Sequence, residues 1–191
     1  MTWELHKLFS EYCKNGDLIS AKTLYIDQFI NVRFDDDEPF VLSCYFGHRH
    51  LMEWLLSLKT LLGKYIIDIH SRGDRAFRIC CEMGHIENAK WLLSLEDERG
   101  TIDIHEGDDH AFRMSRRLDV LKWLWKLVQD EPERGQFNLY IHDNELFRMN
   151  TNRYYIDNVI WLQSICPKFQ VEIKDGKIIK WSVNGVRYNV D

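Results

Sequence analysis

The stretch that decides the fold is DRAFRICCEMGH, residues 74–85. Its phenylalanine, Phe77, belongs to a series that recurs along the chain at separations of 31, 37, 35 and 35 residues. The members of the series are Phe9, Phe40, Phe77, Phe112 and Phe147. A period in this range is typical of stacked supersecondary repeats, so each side chain has to be interpreted first by its place in the repeat.

Other residue types keep the same register. A cysteine follows the phenylalanine by four positions, a glycine by seven and a tryptophan by fourteen, and an apolar residue precedes it by ten. We interpret the tryptophans as a packing ladder along the second helices rather than as a ligand site, because recurrence in every repeat favours packing. The columns are Cys13, Cys44, Cys81; Gly16, Gly47, Gly84; Ile30, Ile67, Ile102, Phe137; and Trp54, Trp91, Trp161, with Trp123 three residues out of register.

Each repeat is predicted to contain two helices. Residues 67–70 alternate as a short extended segment does, and Asp74 is placed as the N-cap of a helix that begins at Arg75 and runs to about residue 83. Gly84 ends that helix in the left-handed conformation. A second helix is predicted over residues 86–95, with its apolar positions on one face. Neither helix is long enough to be stable alone, so the repeats have to stack.

This pattern resembles the ankyrin repeat, D-x-T-P-L-H-x-A-A-x-x-G-H, with Trp91 and the two leucines after it where that pattern has V-L-L. The spellings I-D-I-H, D-x-A-F-R and G-H-x-x-x-x-K-W-L-L are similar to those of ankyrin proteins from giant DNA viruses of amoebae, and the resemblance covers about residues 3–165. It implies an all-α repeat solenoid of about five helix-turn-helix repeats, at about 3–33, 34–70, 71–105, 106–140 and 141–167.

The chain departs from the family pattern in three ways. The interval before Phe77 is shorter than in the family pattern. The hairpin loop that connects successive repeats in that family, called the finger, is therefore expected to be short. Arginines replace the T-P-L-H histidine and are predicted to make a capping or interhelix bond; they are Arg78, Arg113 and Arg148. The fourth repeat has lost its Gly-His turn, so a tight or distorted connection between its helices is expected at residues 116–119.

The last segment is predicted to be a three-stranded antiparallel β meander, residues 168–191. Alternating apolar residues run over 170–174, 177–183 and 186–190, and Asp-Gly and Asn-Gly separate them. These dipeptides are strong signals for two-residue hairpin turns. The meander is interpreted as a cap for the end of the stack or, alternatively, as a docking surface for a partner.

Composition excludes several classes of protein. The 191 residues carry a net charge of -5, and the densest basic group is only Arg113, Arg116 and Arg117, so no nucleic-acid partner is expected. No apolar run is long enough to span a bilayer and no secretory signal begins the chain, so we expect no membrane partner and an intracellular protein. Three of the five cysteines occupy one column, which favours buried, reduced thiols.

No catalytic, cofactor or metal site is predicted. Cys80, Cys81 and His85 lie within six residues, but two of them belong to columns and no second pair has zinc-finger spacing. The turn with His105 and His110 is interpreted as solvated. Glycine-rich phosphate loops and the G-x-S-x-G elbow are missing from the sequence, and buried thiols make poor nucleophiles, so we expect no enzyme.

The resemblance implies a protein-binding module that uses its finger tips and the concave face of its first helices. Tyr45 and Phe46 stand out, because the family usually has polar residues there; the alternative is that they pack on a neighbouring first helix. The candidate partner-binding residues are Phe34, Tyr45, Phe46, Arg72, Arg75, Glu82, Met83, Glu106 and His110, with Lys14, Asn15, Asp35 and Asp36 beside them.

The expected partner is a host or viral protein, met in the host cytoplasm or in the virion. The alternative function is structural: a virion-associated, self-assembling protein that uses the meander or an uncapped N-terminal flank with Trp3, Leu5 and Leu8. A monomer or weak homo-oligomer is expected.

Overall fold

Helices dominate the structure, a computed structural model that describes residues 2–95, 100–152 and 155–189. In chain order the helices are α1 (Thr2–Asn15), α2 (Leu18–Gln28), α3 (Phe34–Tyr45), α4 (Arg49–Ser57), α5 (Ser71–Met83), α6 (Ile86–Leu93), α7 (Glu106–Arg113), α8 (Leu118–Asp130), a 3-10 turn (Pro132–Arg134), α9 (Ile141–Asn152) and α10 (Ile156–Ile165). The strands are β1 (Phe169–Lys174), β2 (Lys177–Val183) and β3 (Val186–Asn189). The mostly helical fold with a C-terminal antiparallel sheet is therefore confirmed.

The chain divides into two compact units, residues 1–106 and 107–191. In the first, α1 contacts α3 and α3 contacts α5, and each of these helices also contacts the helix that follows it. In the second, α10 contacts α8, α9 and β1, and α9 contacts β2. Within the first unit the odd-numbered helices therefore form one row.

The repeat columns form the core. The five column phenylalanines are at most 1% exposed, and Cys13, Cys44 and Cys81 are fully buried. The apolar residues ten positions earlier are buried as well. Burial of a phenylalanine side chain contributes on the order of 2–3 kcal/mol, so this periodic set accounts for much of the driving force for folding. All five cysteines are free thiols.

Four of the helices begin with a left-handed turn, and its contacts show that the predicted N-cap at Asp74 is wrong. Three consecutive residues have positive φ at the start of α3, α5, α7 and α9: residues 35–37, 72–74, 107–109 and 142–144. In α5 the third of them is Asp74, whose carboxylate is buried and accepts hydrogen bonds from His70 and from the backbone N–H of Asp103. Asp74 therefore ties the turn to the chain 29 residues later instead of capping its own helix. The predicted extended segment over 67–70 is a bend and turn without strand pairing.

Two of the three column arginines, Arg78 and Arg113, close this turn with local hydrogen bonds. Arg78 donates from Nε and Nη2 to the carbonyls of Gly73 and Arg72, both at 2.8 Å. Arg113 makes the corresponding bonds to the carbonyls of Asp108 and Gly107, at 3.2 and 3.1 Å. Each guanidinium satisfies carbonyls that the left-handed backbone turns away from the helix.

Where the glycine of the repeat is present, the first helix ends at the position that it predicts. α5 ends at Met83, and Gly84 follows it with φ of 83°. In the fourth repeat α7 ends at Arg113, and α8 begins after Arg117, whose backbone is extended (φ -112°, ψ 127°). The two helices are joined by residues 114–117, whereas Leu118 and Asp119 already belong to α8, so the connection lies two residues earlier than predicted.

The C-terminal sheet has the strand order β1-β2-β3, with both pairs antiparallel. Both residues of each turn have positive φ, as a type I′ hairpin requires: 50° and 70° at Asp175-Gly176, 52° and 82° at Asn184-Gly185. Phe169 stacks on Phe147 of α9 at 4.4 Å, whereas Glu172 pairs across the strands with Lys180 and both are exposed. One face of the sheet thus covers the last helices and the other is polar.

Candidate protein-binding surface

Two histidines join the ends of the first helices in the first compact unit. Nε2 of His48 donates to the carbonyl of Lys14 at 2.8 Å, and Nε2 of His85 donates to the carbonyl of Tyr45 at 2.9 Å. Each histidine thereby satisfies a carbonyl that has no partner inside its own helix. The C-terminal ends of α1, α3 and α5 are consequently held next to one another.

Each of these histidine rings also packs on the glycine that ends the first helix of the preceding repeat, which explains Gly16 and Gly47. A Cβ atom on Gly47 would lie 2.7 Å from Cε1 of the His85 ring, and one on Gly16 would lie 2.9 Å from the His48 ring. Both glycines also have positive φ, 76° and 78°. The sequence showed Gly-His as a helix stop, but only the structure shows that the histidine ring packs on the glycine of the preceding repeat.

We expect Gly47→Ala to destabilise the first unit by about 2–3 kcal/mol, from left-handed strain of roughly 1–2 kcal/mol plus displacement of the His85 ring. Gly63→Ala is the matched control, because Gly63 has φ of 79° and no atom near the added methyl group. Urea unfolding followed by circular dichroism measures both. Equal losses in the two variants would show that the His85 contact contributes nothing.

Tyr45 and Phe46 lie where these helix ends meet. They expose 39% and 41% of their surfaces, and their rings contact each other at 4.9 Å. Phe46 also stacks on His48 at 6.3 Å. More than half of the surface of each residue is buried, so Tyr45 and Phe46 form a partly exposed aromatic pair.

Polar side chains lie at the ends of the two first helices that neighbour α3. Lys14 and Asn15, at the end of α1, both bond to Glu11, at 3.3 and 3.2 Å. At the end of α5, Glu82 and Met83 are half-buried. We call the whole set the helix-end surface: Lys14, Asn15, Tyr45, Phe46, Glu82 and Met83.

The predicted finger residues lie at the other ends of the same helices, and most of them are engaged with each other. Nη2 of Arg72 is 3.1 Å from carboxylate oxygens of both Asp35 and Asp36, and Arg75 pairs with Glu38 at 2.6 Å. The hydrogen bond to Asp36 raises the pKa of the Arg72 guanidinium further above its ordinary value. These charges serve contacts between neighbouring repeats, and they are worth little each because they are solvated.

The remaining candidates of the first unit also lie away from the helix-end surface. Phe34 packs on Trp3 and His6 of α1, with ring centroids 5.1 and 4.8 Å apart. The Glu106 carboxyl lies directly against the Gly73 backbone. His110 belongs to the second compact unit, where it is half-buried in α7. Within the first unit, Tyr45, Phe46, Glu82 and Met83 thus lie at the C-terminal ends of the first helices, whereas Phe34, Arg72, Arg75 and Glu106 lie at the opposite ends.

Sequence reasoning did not identify the buried carboxylates that link successive repeats. Asp74 accepts from the N–H of Asp103 at 2.9 Å, and Asp109 from the N–H of Asn138 at 2.7 Å. At Asp37 burial raises the pKa above its ordinary value, and Arg33, 3.2 Å away, opposes the rise. The signal was an aspartate three positions before three of the five column phenylalanines, at Asp37, Asp74 and Asp109.

The buried thiols are unsuited to nucleophilic chemistry. Burial raises the pKa of Cys13 to about 12 and the pKa values of Cys44 and Cys81 well above the ordinary value. The thiolate is the reactive form, so it is scarce at neutral pH. Across residues 2–95, 100–152 and 155–189, no group of three His, Cys, Asp or Glu side chains is arranged to hold a metal ion.

An open groove of about 670 Å³ lies in the second compact unit, where the fourth repeat lacks its Gly-His turn. Its charges are mixed, since Arg117 pairs with Asp119 at 3.3 Å. Arg113 is buried and ion-paired with Glu145, so the three arginines of this region do not form one basic patch. The groove is lined by Arg116, Arg117, Leu118, Asp119, Lys122, Tyr155, Ile156, Asp157 and Asn158.

No protein-family model matches this sequence, and no curated protein is significantly similar to it. None of the helices in the described ranges is both long and apolar enough to cross a membrane.

Proposed function

We propose that this chain is a non-enzymatic protein-interaction module of the ankyrin type, and that it binds a host or viral protein through the helix-end surface. The observation that carries the proposal is the exposed Tyr45–Phe46 pair, held at the junction of three first helices by two histidine–carbonyl bonds. Large aromatic side chains presented on a rigid support are the residue types that dominate binding energies at protein interfaces.

The repeat pattern supports the family proposal, and the resemblance to giant-virus ankyrin proteins supports the host cytoplasm or the virion as the place of action. The surface combines an aromatic centre with polar residues, because Lys14, Asn15 and Glu82 lie at the ends of the first helices on either side of α3. That arrangement of apolar centre and polar rim is usual for protein interfaces. Self-assembly through the meander has less support, because the outward face of the sheet carries charged residues such as Glu172 and Lys180.

The double variant Tyr45→Ala/Phe46→Ala is expected to lose partner capture by at least about 30-fold, since each aromatic anchor is worth on the order of 1–2 kcal/mol or more. The bait is the full chain in host-cell extract, and bound proteins are quantified by mass spectrometry. Stability should fall by less than about 1 kcal/mol, because both rings are already partly exposed.

Phe29→Ala is the matched control, because it removes an exposed phenyl ring from the far end of α2. A protein that is enriched by the native chain and by Phe29→Ala but lost from the double variant identifies the partner. Equal capture by all three chains would contradict the assignment of this surface.

A further inference from the structure

A short hairpin projects after α4 at a place where the repeat pattern requires only a connection. The N–H of Ile66 donates to the carbonyl of Leu58 at 3.1 Å, and the N–H of Thr60 donates to the carbonyl of Lys64 at 2.8 Å. Lys59 and Tyr65 form the bridge between its arms. We call residues 58–66 the leucine hairpin.

The tip of this hairpin is apolar and almost wholly in solvent. Leu61 and Leu62 expose 107% and 87% of their reference areas. Neither occupies a repeat column, and the hairpin is closed by backbone bonds to which these side chains contribute nothing. Scattered exposed leucines are ordinary, but two adjacent ones at the tip of a projecting turn are placed where they can enter an apolar phase.

Cations flank the leucines on both sides. Lys59 and Lys64 lie on the two arms, and residues 58–66 include no acidic residue. Nζ of Lys59 lies 4.2 Å from the centroid of the Tyr65 ring, which is the cation–π range. The hairpin therefore presents an apolar tip backed by positive charge and one aromatic ring.

Phe29 is a second apolar point that packing does not explain. It is 92% exposed and directly follows α2 with φ of 51° and ψ of 47°. This left-handed position after a helix is the one that glycine occupies at least cost. An exposed phenylalanine there costs backbone energy and gains no core contact, which points to a role outside the fold.

Phe29 and the leucine hairpin lie along the same edge of the first compact unit. His50, in the first turn of α4, bonds to the carbonyl of Gly16 just before α2, and Trp54 contacts Tyr25 at 5.8 Å. These pairs show that α2 and α4 run side by side in the same direction. Their C-terminal ends, from which Phe29 and the hairpin emerge, are consequently adjacent.

We propose that this edge docks on the surface of an anionic lipid bilayer, with Leu61, Leu62 and Phe29 entering the interface. Exposed apolar side chains at two separate places on one edge are better matched by the extended apolar interior of a bilayer than by a single pocket on a protein. Lysines beside an apolar tip match anionic headgroups, and tyrosine is favoured at the level of the headgroups. Surface docking needs no spanning helix, and the proposal differs here from the sequence-based expectation of no membrane partner.

The net charge of -5 does not oppose this docking at physiological salt. Exposed charges more than about 8 Å from the surface are largely screened, so the lysines closest to the bilayer dominate the interaction. The proposal is independent of the helix-end surface, because Tyr45 and Phe46 follow the first-helix end whereas Phe29 follows the second-helix end of its repeat.

Co-sedimentation with vesicles tests the proposal on the full chain. Vesicles of phosphatidylcholine with 30% phosphatidylserine, on the order of a strongly anionic leaflet, should bind the native chain about 30-fold better than pure phosphatidylcholine vesicles. Leu61→Ser/Leu62→Ser should reduce binding at least about tenfold, and Lys59→Ser/Lys64→Ser should remove the preference for anionic vesicles.

Two further variants separate docking from folding. Phe29→Gly should bind vesicles several-fold less while unfolding at the same or a higher urea concentration, since glycine relieves the left-handed strain. Val186→Ser, at an exposed apolar position in β3, should change neither property. Absence of vesicle binding by the native chain, or binding that the Leu61/Leu62 variant retains, would overturn the proposal; so would capture of a protein, instead of lipid, that depends on the two leucines.

Discussion

Phe112→Ala is expected to destabilise the second compact unit by about 3–5 kcal/mol, the usual range for a fully buried phenylalanine. The Phe112 ring stacks on Phe137 at 4.4 Å with an interplanar angle of 8°, and it contacts Trp125 and Trp161 at 6.1 and 6.4 Å. Its removal would leave a cavity between α7, α8 and α10. Urea unfolding followed by tryptophan fluorescence measures the loss directly, because two indole rings border that cavity.

The control for this variant is Phe29→Ala, the same chemical change at an exposed position. Its free energy of unfolding should stay within about 0.5 kcal/mol of the native value. If Phe112→Ala lost no more stability than Phe29→Ala, the column phenylalanines would not form the core described above.

Asp74→Ala is expected to cost about 2–4 kcal/mol. The buried carboxylate accepts from His70 Nδ1 at 2.5 Å and from the backbone N–H of Asp103 at 2.9 Å. Removing it leaves a buried donor without its partner, at roughly 1–3 kcal/mol, and places alanine in a left-handed conformation, at roughly 1–2 kcal/mol.

Asp74→Asn is the matched variant, because it keeps one oxygen for the Asp103 N–H and tolerates positive φ. The chain itself has Asn144 at the equivalent position, with φ of 59°. We expect the asparagine variant to lose about 1 kcal/mol or less, measured by thermal and urea unfolding. Similar losses for alanine and asparagine would show that the link to Asp103 is unimportant and that only the His70 contact matters.

Much of the fold could be predicted because the same residue types recur at equivalent positions, which limits the possible roles of each residue. A single Phe or Cys has many explanations, but a column such as Cys13, Cys44 and Cys81 has one, and the structure buries all three completely. The sheet was predictable for a different reason, since Asp-Gly and Asn-Gly specify type I′ turns locally. The end of α5 at Met83 followed in the same way from Gly84.

The candidate site was only partly predictable. Residue type indicated Tyr45 and Phe46, but Arg72 and Arg75 were equally good candidates until the structure paired them with acids of the preceding repeat. Trp125, which belongs to no predicted column, contacts Trp161 with ring centroids 6.3 Å apart. Such partners depend on which side chains meet across separate elements, and sequence spacing does not report that.

The sequence by itself determined the repeat, the buried columns and the turn-defined sheet, because these depend on periodicity and on local backbone preference. Only the tertiary structure decided the roles of the polar residues. Asp74 accepts a hydrogen bond from the next repeat, the His85 ring packs on Gly47, and Arg72 forms an ion pair with Asp36. It also decided that Phe29 and the leucine hairpin share one edge, since that follows from the parallel contact of α2 with α4. Hydrogen bonds and ion pairs between residues about 30 positions apart form only once folding has brought those residues together, so no local sequence pattern predicts them.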